Sequence, residues 1–436
     1  MIEIIPIGGY SEIGRSCTLV KYKDEAVMID LGLSLDSYVR LTENDDGSRT
    51  ISRSTLIREG AIPDLTNLDE LKFLKAICIS HAHLDHVGAV SFYADQIKTP
   101  IHGTNFTIQV LKVLIEEKRK RLPELISHPE NSTFRVSKHL SVEFIHVTHS
   151  TPQSVIVVIH TPVGCVVYAN DFKLDDTPTL GEKTNIAALK KLKNVKALIM
   201  NSLYAQKKGR TLSEADANRR LEEVLFSEDY TGRNIIATTF SSHIARLRTL
   251  SSLAKMMGRK PVFIGRSMAK YLDAAKEVKL ADFEKEAEFV RFGSTLEKYF
   301  KQNPFTTDKF FIVTGHQAEP KAILSRLASS KIFPFKKNDV VIFSSKIIPS
   351  EQSFLNKEKI DLLLKSKGII IHDEVHVSGH ASSEEQKELI SILKPENLIP
   401  THGDLRMMKA QEQLAIDLGY KKSQVHILEN FSKIYV

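Results

Sequence analysis

Short apolar runs open the chain, at Ile2–Ile7, Cys17–Tyr22 and Ala26–Asp30, each broken by glycine, charged or polar residues. That pattern predicts a meander of strands. From Leu71 a helix or turn leads into the apolar run Ala76–Ser80, then a loop dense in His and Asp, then Val87–Asp95 with apolar positions at helical spacing. The reading is strand, loop, helix. Further strand-type runs follow at Leu140–Val147, Val155–His160 and Cys165–Asn170, so strands outnumber helices through the first half.

Near Thr211 the pattern changes, because TLSEADANRRLEEVLFSE begins with a Ser/Glu start suited to a helix N-cap and continues at helical spacing. Strands at Asn234–Phe240, Pro261–Ile264 and Lys309–Thr314 then alternate with helices to about Asp339. This is the pattern of a parallel sheet with crossover helices. After Val340–Ser344 the chain returns to strands and His-rich turns and ends on a helix and strand. The predicted organisation is α/β: a first domain over 1–207, an inserted α/β domain over 208–342, and 343–436 completing the first.

A chain of 436 residues fits two domains, and 42% hydrophobic with 26% charged residues supports packed cores. The N-terminus, MIEIIPIGGY, lacks a secretory pattern and no run is long enough for a membrane span, so a cytoplasmic protein with no membrane partner is expected. Cys17, Cys78 and Cys165 are odd in number and far apart, which fits buried thiols better than disulfides. The net charge of +7 is a weak pointer to a polyanion. The basic run Lys118–Arg121 is read first as a solvated helix face and second as a contact for such a polyanion.

The chemical signal is His81-Ala-His83-Leu-Asp85-His86, directly after a predicted strand, with four potential ligands in six residues. Imidazole nitrogen and carboxylate oxygen suit zinc, and alternation in such a loop can direct His81 and His83 to one metal and Asp85 and His86 to a neighbour. Two coordination spheres need more ligands at other strand ends. His149 in VTHS, Asp171 after Val166–Asn170 and His402 in IPTHGD supply them. Each alone reads as a hydrogen-bonded turn residue; their joint occurrence favours a site.

These segments, with GGYSEIGRSC, MIDLG, ANDFKLD, TTFSSHIARL, TGHQAEP, VHVSGHAS and IPTHGDLRM, carry a resemblance over nearly the whole chain. The chain resembles the metallo-β-lactamase superfamily and, within it, the β-CASP nucleases, most closely the ribonuclease J family in its short archaeal form. The resemblance implies an αββα metallo-β-lactamase sandwich carrying an inserted α/β β-CASP domain. It implies two zinc ions, with manganese or magnesium as replacements: one held by His81, His83, His149 and Asp171, the other by Asp85, His86, His402 and the shared Asp171. Asp30 matches a position that supports the metal loop from behind. His380 matches the histidine that faces the scissile phosphate, and Asp85 and His376 join it as catalytic candidates, His376 reading equally well as a plain strand residue. Two positions depart from the pattern: Asn201 stands where these nucleases usually carry an acid, and His316 where bacterial relatives usually have Ser. An amide at Asn201 keeps a hydrogen bond to a histidine but loses the charge, which implies reduced activity.

The implied reaction is hydrolysis of RNA phosphodiester bonds by a hydroxide held between two metals, leaving 5′ phosphates. Single-stranded RNA would be held by the inserted domain. Ser378, Gly379 and His380 with Ser344 and Ser345 are candidates for a pocket gripping a 5′ phosphate, which would favour 5′ to 3′ exonuclease action over endonuclease cuts; the bland reading of SGH is a tight turn. Other proteins of RNA decay, and a second copy paired through the two main domains, are the remaining partners implied. The competing readings are a thioesterase or lactonase of the same fold, a DNA-directed β-CASP nuclease, and a non-catalytic RNA-binding subunit. Thioesterases and lactonases would not need the insertion or VSGHAS, DNA-repair relatives generally lack a histidine matching His402, and non-catalytic subunits have usually lost ligands that are all present here.

Overall fold

The computed structural model describes every residue except 44–50, 292–294, 305, 347–350 and 374. Two compact units are present, the first made of 1–176, 181–211 and 379–436, the second of 177–180 and 212–378.

Among the described residues, the first unit holds two sheets. One has seven strands in the spatial order Ile434–Tyr435, Ile2–Gly8, Cys17–Tyr22, Glu25–Ile29, Leu74–Cys78, Ile101–Thr104, Leu125–His128. The other has six, in the order Asn397–Thr401, Val195–Asn201, Gly164–Ala169, Val155–Thr161, Ser141–His146, Ser132–Arg135. Period-2 alternation sends one face of each sheet inward. Ile2, Ile4, Val20, Val27 and Ile29 from the first thus meet Val142, Phe144, Val157, Val166 and Ile199 from the second in one core. The opposite faces are covered by helices: Leu56, Val90, Leu111 and Ile115 pack on the first sheet, and Leu189, Leu389, Leu393 and Ala415 on the second. This is the αββα sandwich.

The predicted strands recur within one or two residues of their expected ends. Val87–Asp95 differs: it forms no continuous helix but lies across two short ones, Leu84–Val87 and Val90–Tyr93. Neighbouring chain takes up the carbonyls of this turn, since Ser16 N–H donates to Asp85 O, Leu31 N–H to His86 O and Leu33 N–H to Leu84 O. The basic run Lys118–Arg121 is not a helix face either. It follows the end of the helix Asn105–Glu117, where Arg119 turns left-handed at φ 53°, and Lys120 pairs with Asp95. All three cysteines are free and buried.

The second unit is built on a six-stranded sheet in which every pairing is parallel, in the order Glu288–Val290, Lys260–Ile264, Lys309–Val313, Ile235–Thr238, Val340–Phe343, Ile370–His372. Its central strands are buried throughout, as a parallel sheet covered on both faces requires. Entry into the unit is set by Ser213, which caps the helix Glu214–Phe226 in a reciprocal box with Asp216. The return to the first unit comes later than the 342/343 boundary read from the sequence. Val340–Phe343 pairs with Ile235–Thr238 on one side and Ile370–His372 on the other, so both strands belong to this sheet, and the second unit runs to Ser378. Among the described residues, no helix is long and apolar enough to cross a membrane.

Backbone approach around the turn at Asp85 sets one strict requirement. A Cβ on Gly32 would stand 1.6 Å from Asp85 O and 2.7 Å from Ser16 N. Gly32→Ala is expected to destabilise the first unit by on the order of 3 kcal/mol through forced backbone displacement, read as a lower urea midpoint at unchanged slope.

Candidate metal centre

The site stands at strand ends of the first unit, where alternation ceases and loop side chains are free to converge. Leu74–Cys78 delivers Ser80, His81, His83, Asp85 and His86; Ser141–His146 leads to His149, Gly164–Ala169 to Asp171, and Asn397–Thr401 to His402. Two of these turns hold non-glycine residues in left-handed backbone, Asp30 at φ 61° and His402 at φ 51°. Such conformations persist where surrounding contacts over-determine them. For His402 the anchor is Gly9 O, which accepts from both His402 N–H at 2.7 Å and Thr401 Oγ1 at 2.8 Å.

Two ligand sets result: His81, His83, His149 and Asp171, and beside them Asp85, His86 and His402, the candidate atoms in each lying within 4.8 Å of one another. Spacings in the first set are 3.1 Å from His83 Nδ1 to His81 Nε2, 3.1 Å from His83 Nδ1 to His149 Nε2, 3.5 Å from His81 Nε2 to Asp171 Oδ2 and 3.4 Å from His149 Nε2 to Asp171 Oδ2. Four ligands placed tetrahedrally around zinc at ordinary bond lengths lie about 3.3 Å apart. Asp171 Oδ2 also stands 3.5 Å from His86 Nε2, so this one carboxylate reaches both sets, while Asp85 Oδ2 lies 3.7 Å from His86 Nε2 and 3.9 Å from His402 Nε2.

The outward nitrogens explain why the inward ones are bare. His86 Nδ1 donates to Asp30 Oδ2 at 2.7 Å, and His149 Nδ1 donates to Gly379 O at 2.7 Å. Asp30 itself accepts from Ser80 N–H at 2.7 Å and Ser80 Oγ at 2.9 Å. With its proton given to Asp30, Ser80 Oγ is left to accept from His81 Nδ1 at 3.0 Å. These three hydrogen bonds place a proton on Nδ1 of His81, His86 and His149 and turn their Nε2 atoms towards Asp171. Lone pairs crowded in this way repel unless a cation stands among them, and His86 Nε2 is buried without a hydrogen-bond partner. The residues therefore fit divalent metal.

Charge states agree with this. Burial pushes the His83 and His149 imidazoles well below the usual histidine range and lowers His81 too, keeping them neutral as ligands must be. Burial opposes ionisation of Asp171, but His380, His402 and His86 hold its carboxyl well below the usual range. His86 is raised well above its usual value: burial works against its charge, and Asp171, Asp30 and Asp85 outweigh it. The pocket favours positive charge where a cation would sit.

His380 borders the cluster, its Nδ1 3.7 Å from Asp171 Oδ1, with 21% of its side chain exposed. Asn201 orders it. Leu203 N–H donates to Asn201 Oδ1 at 2.7 Å, which fixes the amide and turns Nδ2 towards Asp171 Oδ1 at 2.9 Å and His380 Nδ1 at 3.0 Å. An amide donor makes His380 Nδ1 an acceptor, so the ring proton resides on Nε2, whereas a carboxylate at this position would draw it to Nδ1. The hydrogen bond from Asn201 to a histidine is the one expected from the sequence; the direction of the amide, set by Leu203 N–H, fixes which nitrogen of His380 receives it.

The remaining predicted residues divide between the units. Gly379 belongs to the first, its carbonyl committed to His149. His376, Ser378, Ser344 and Ser345 belong to the second. There Ser344 Oγ accepts from the buried Arg246 at 2.6 Å and donates to Val375 O at 3.1 Å, and Arg246 pairs with Glu214 at 2.6 Å. His376 is depressed to about 2, by burial first and the Arg246 charge second, and so stays neutral.

Comparison with known proteins accords with this architecture. Residues 55–218 match a beta-lactamase superfamily domain, 231–363 the ribonuclease J beta-CASP domain, and 371–428 a Zn-dependent metallo-hydrolase RNA specificity domain. The chain is 40% identical to ribonuclease J of Pyrococcus abyssi, covering 96% of this chain and 94% of that protein, and 38% identical to ribonuclease J of Methanocaldococcus jannaschii, covering 98% and 97%. It is 31% identical to ribonuclease J 1 of Streptococcus pyogenes over 98% of this chain and 73% of that protein. A solved protein of unknown function from Enterococcus faecalis shares the fold at TM-score 0.67 and 18% identity, over 99% of both chains. With its sandwich, its parallel-sheet insertion and its His/Asp cluster in place, the chain belongs to the ribonuclease J family.

Proposed function

We propose that the chain is a ribonuclease dependent on two zinc ions, replaceable by manganese or magnesium, acting chiefly as a 5′ to 3′ exonuclease with endonuclease cuts as a second mode. The observation that carries the reading is the convergence of imidazole nitrogens on Asp171 next to His380, whose Nδ1 accepts from Asn201 so that its ring proton sits on Nε2. One ion would be held by His81, His83, His149 and Asp171, the other by Asp85, His86, His402 and Asp171. Bound there, the ions supply Lewis acidity for a phosphoryl oxygen and lower the pKa of water towards neutrality.

The chain's own groups do the rest. Asp30 and Ser80 hold His81 and His86 in the tautomers that point lone pairs inward, and Gly379 O does the same for His149. His380, in reach of Asp171 through Asn201, can give its Nε2 proton to the departing 3′ oxygen or hydrogen-bond a non-bridging oxygen as charge builds there. That assigns general-acid or oxyanion duty to His380, a ligand's duty to Asp85, and to His376 a buried, neutral place within the field of Arg246.

Chelation should abolish cleavage of a 5′-labelled single-stranded RNA, and added zinc should restore it; early release of labelled mononucleotide identifies the exonuclease mode. Turnover of a thioester at a comparable rate would instead make this a small-molecule hydrolase. His380→Ala should keep its metal content but lose roughly 10²–10⁴-fold in turnover, as expected for removing a positioned proton donor. Asp30→Asn should weaken metal binding by about ten- to a hundred-fold in chelator competition, since second-layer partners of ligating histidines typically matter to that degree.

A further inference from the structure

The parallel sheet of the second unit ends in a feature that the metal chemistry leaves unused. Three neighbouring strands, Lys260–Ile264, Lys309–Val313 and Ile235–Thr238, run in the same direction, and their carboxyl ends open into a cleft of about 580 Å³. Its walls come from the residues just past those ends: Ser241, then Arg266 with Ser267 and Lys270, then Thr314 to His316. Strand order changes direction here, because the chain visits Ile235–Thr238, then Lys260–Ile264, then Glu288–Val290, before Lys309–Val313 inserts between the first two. In open α/β sheets, ligands bind in the crevice at such a switch point. The volume is that of a small-ligand site.

The lining is strongly basic. Arg266, Lys270, Lys321 and Arg326 line it together with the carboxylate of Glu319. Arg266 and Lys270 lie one turn apart at the start of the twelve-residue helix Arg266–Glu277, whose N-cap is Gly265 and whose first N–H groups receive no side-chain cap. Gly265 has φ +140°, and a Cβ there would meet Thr314 Cγ2 at 2.6 Å, so the backbone of this turn lies directly against the neighbouring strand end. Helix start, guanidinium and ammonium groups, and the Ser241 and Ser267 hydroxyls, 3.1 Å apart, all favour an anion with several acceptor oxygens. One wall is aromatic: His316 packs on Phe240 with ring centroids 4.0 Å apart. Burial lowers the His316 pKa, leaving a neutral ring of the kind on which nucleobases stack.

We propose that this cleft is a second nucleotide site, binding the phosphate of a nucleotide through Arg266, Lys270, Lys321 and Arg326, with the base against His316. It goes beyond the function proposed for the metal centre and does not depend on it. The phosphate has two sources, a free mononucleotide or a nucleotide within an RNA chain.

The two are separated by titrating the full chain, carrying His81→Ala and His83→Ala to disable the metal centre, with adenosine 5′-monophosphate by calorimetry and with a fluorescent ten-residue oligoribonucleotide bearing a 5′ hydroxyl by anisotropy. Adding Arg266→Ala and Lys270→Ala should weaken binding of at least one ligand by about tenfold or more, the loss expected when charge-assisted contacts are removed. Lys298→Ala, an exposed lysine on another helix of the same unit, should leave it unchanged. Loss for the monophosphate supports the site with a free nucleotide as occupant. Loss for the oligonucleotide alone, with its salt slope shallower by about two, supports it with the RNA chain as occupant. Equal affinities for both ligands with and without the Arg266 and Lys270 changes, or equal losses in the Lys298 control, would overturn the site. RNA cleavage is measured separately on the chain with its metal ligands intact, so failure of the ribonuclease reading and failure of this one remain distinguishable.

Discussion

An imidazole has two nitrogens and, when neutral, one proton, and the organisation of the first unit depends on where that proton is kept. A ring can present a lone pair inward only if its other nitrogen donates outward to a fixed acceptor. Asp30 Oδ2, Ser80 Oγ and Gly379 O are those acceptors, for His86, His81 and His149 respectively. None of the three lies in the ligand set. Placing Asp30 requires a left-handed backbone at the end of Glu25–Ile29, and placing Gly379 requires the chain to return from a 167-residue excursion, 212–378, to the ring of His149.

Sheet geometry makes this convergence affordable. The ligands occupy the ends of strands whose interiors bury Ile, Val and Phe in one continuous core between two sheets, so the polar cluster borders that core rather than interrupting it. The crowded backbone at Gly32, Ser16 and Asp85 ties the metal loop to the first sheet through hydrogen bonds between main-chain groups, leaving the side chains of the loop free for chemistry.

Much of this was legible in the sequence, for identifiable reasons. The loop His81–His86 packs four ligands into six residues, and periodicity alone separates the strand-rich opening from the alternating segment that begins near Thr211. His149, Asp171 and His402 were visible because each follows an apolar run. What stayed hidden is whatever depends on contacts distant in the chain. The break of Val87–Asp95 into two short turns follows from carbonyls captured by Ser16, Leu31 and Leu33. The return boundary was read too early because Val340–Ser344 looks the same whether it closes one sheet or begins another, and only its pairing with Ile235–Thr238 decides. The tautomer of His380 rests on an amide 179 positions away. The basic cleft of the second unit draws its lining from stretches that are unremarkable one at a time.

The hydrogen bonds at the junction bear on how the molecule is made. Thr211, the last residue of the first unit before the excursion, donates from Oγ1 to His380 O at 2.7 Å and from N–H to Glu385 Oε2 at 2.7 Å, so departure and return are stitched at one seam. During synthesis the ribosome releases Thr211 long before its partners exist, and the sheet that begins with Ile2–Gly8 waits for Ile434–Tyr435 to cover its edge. The first unit is thus the last to be completed although its chain emerges first, and a truncated nascent product holds an open sheet and an unfinished ligand set rather than a working centre.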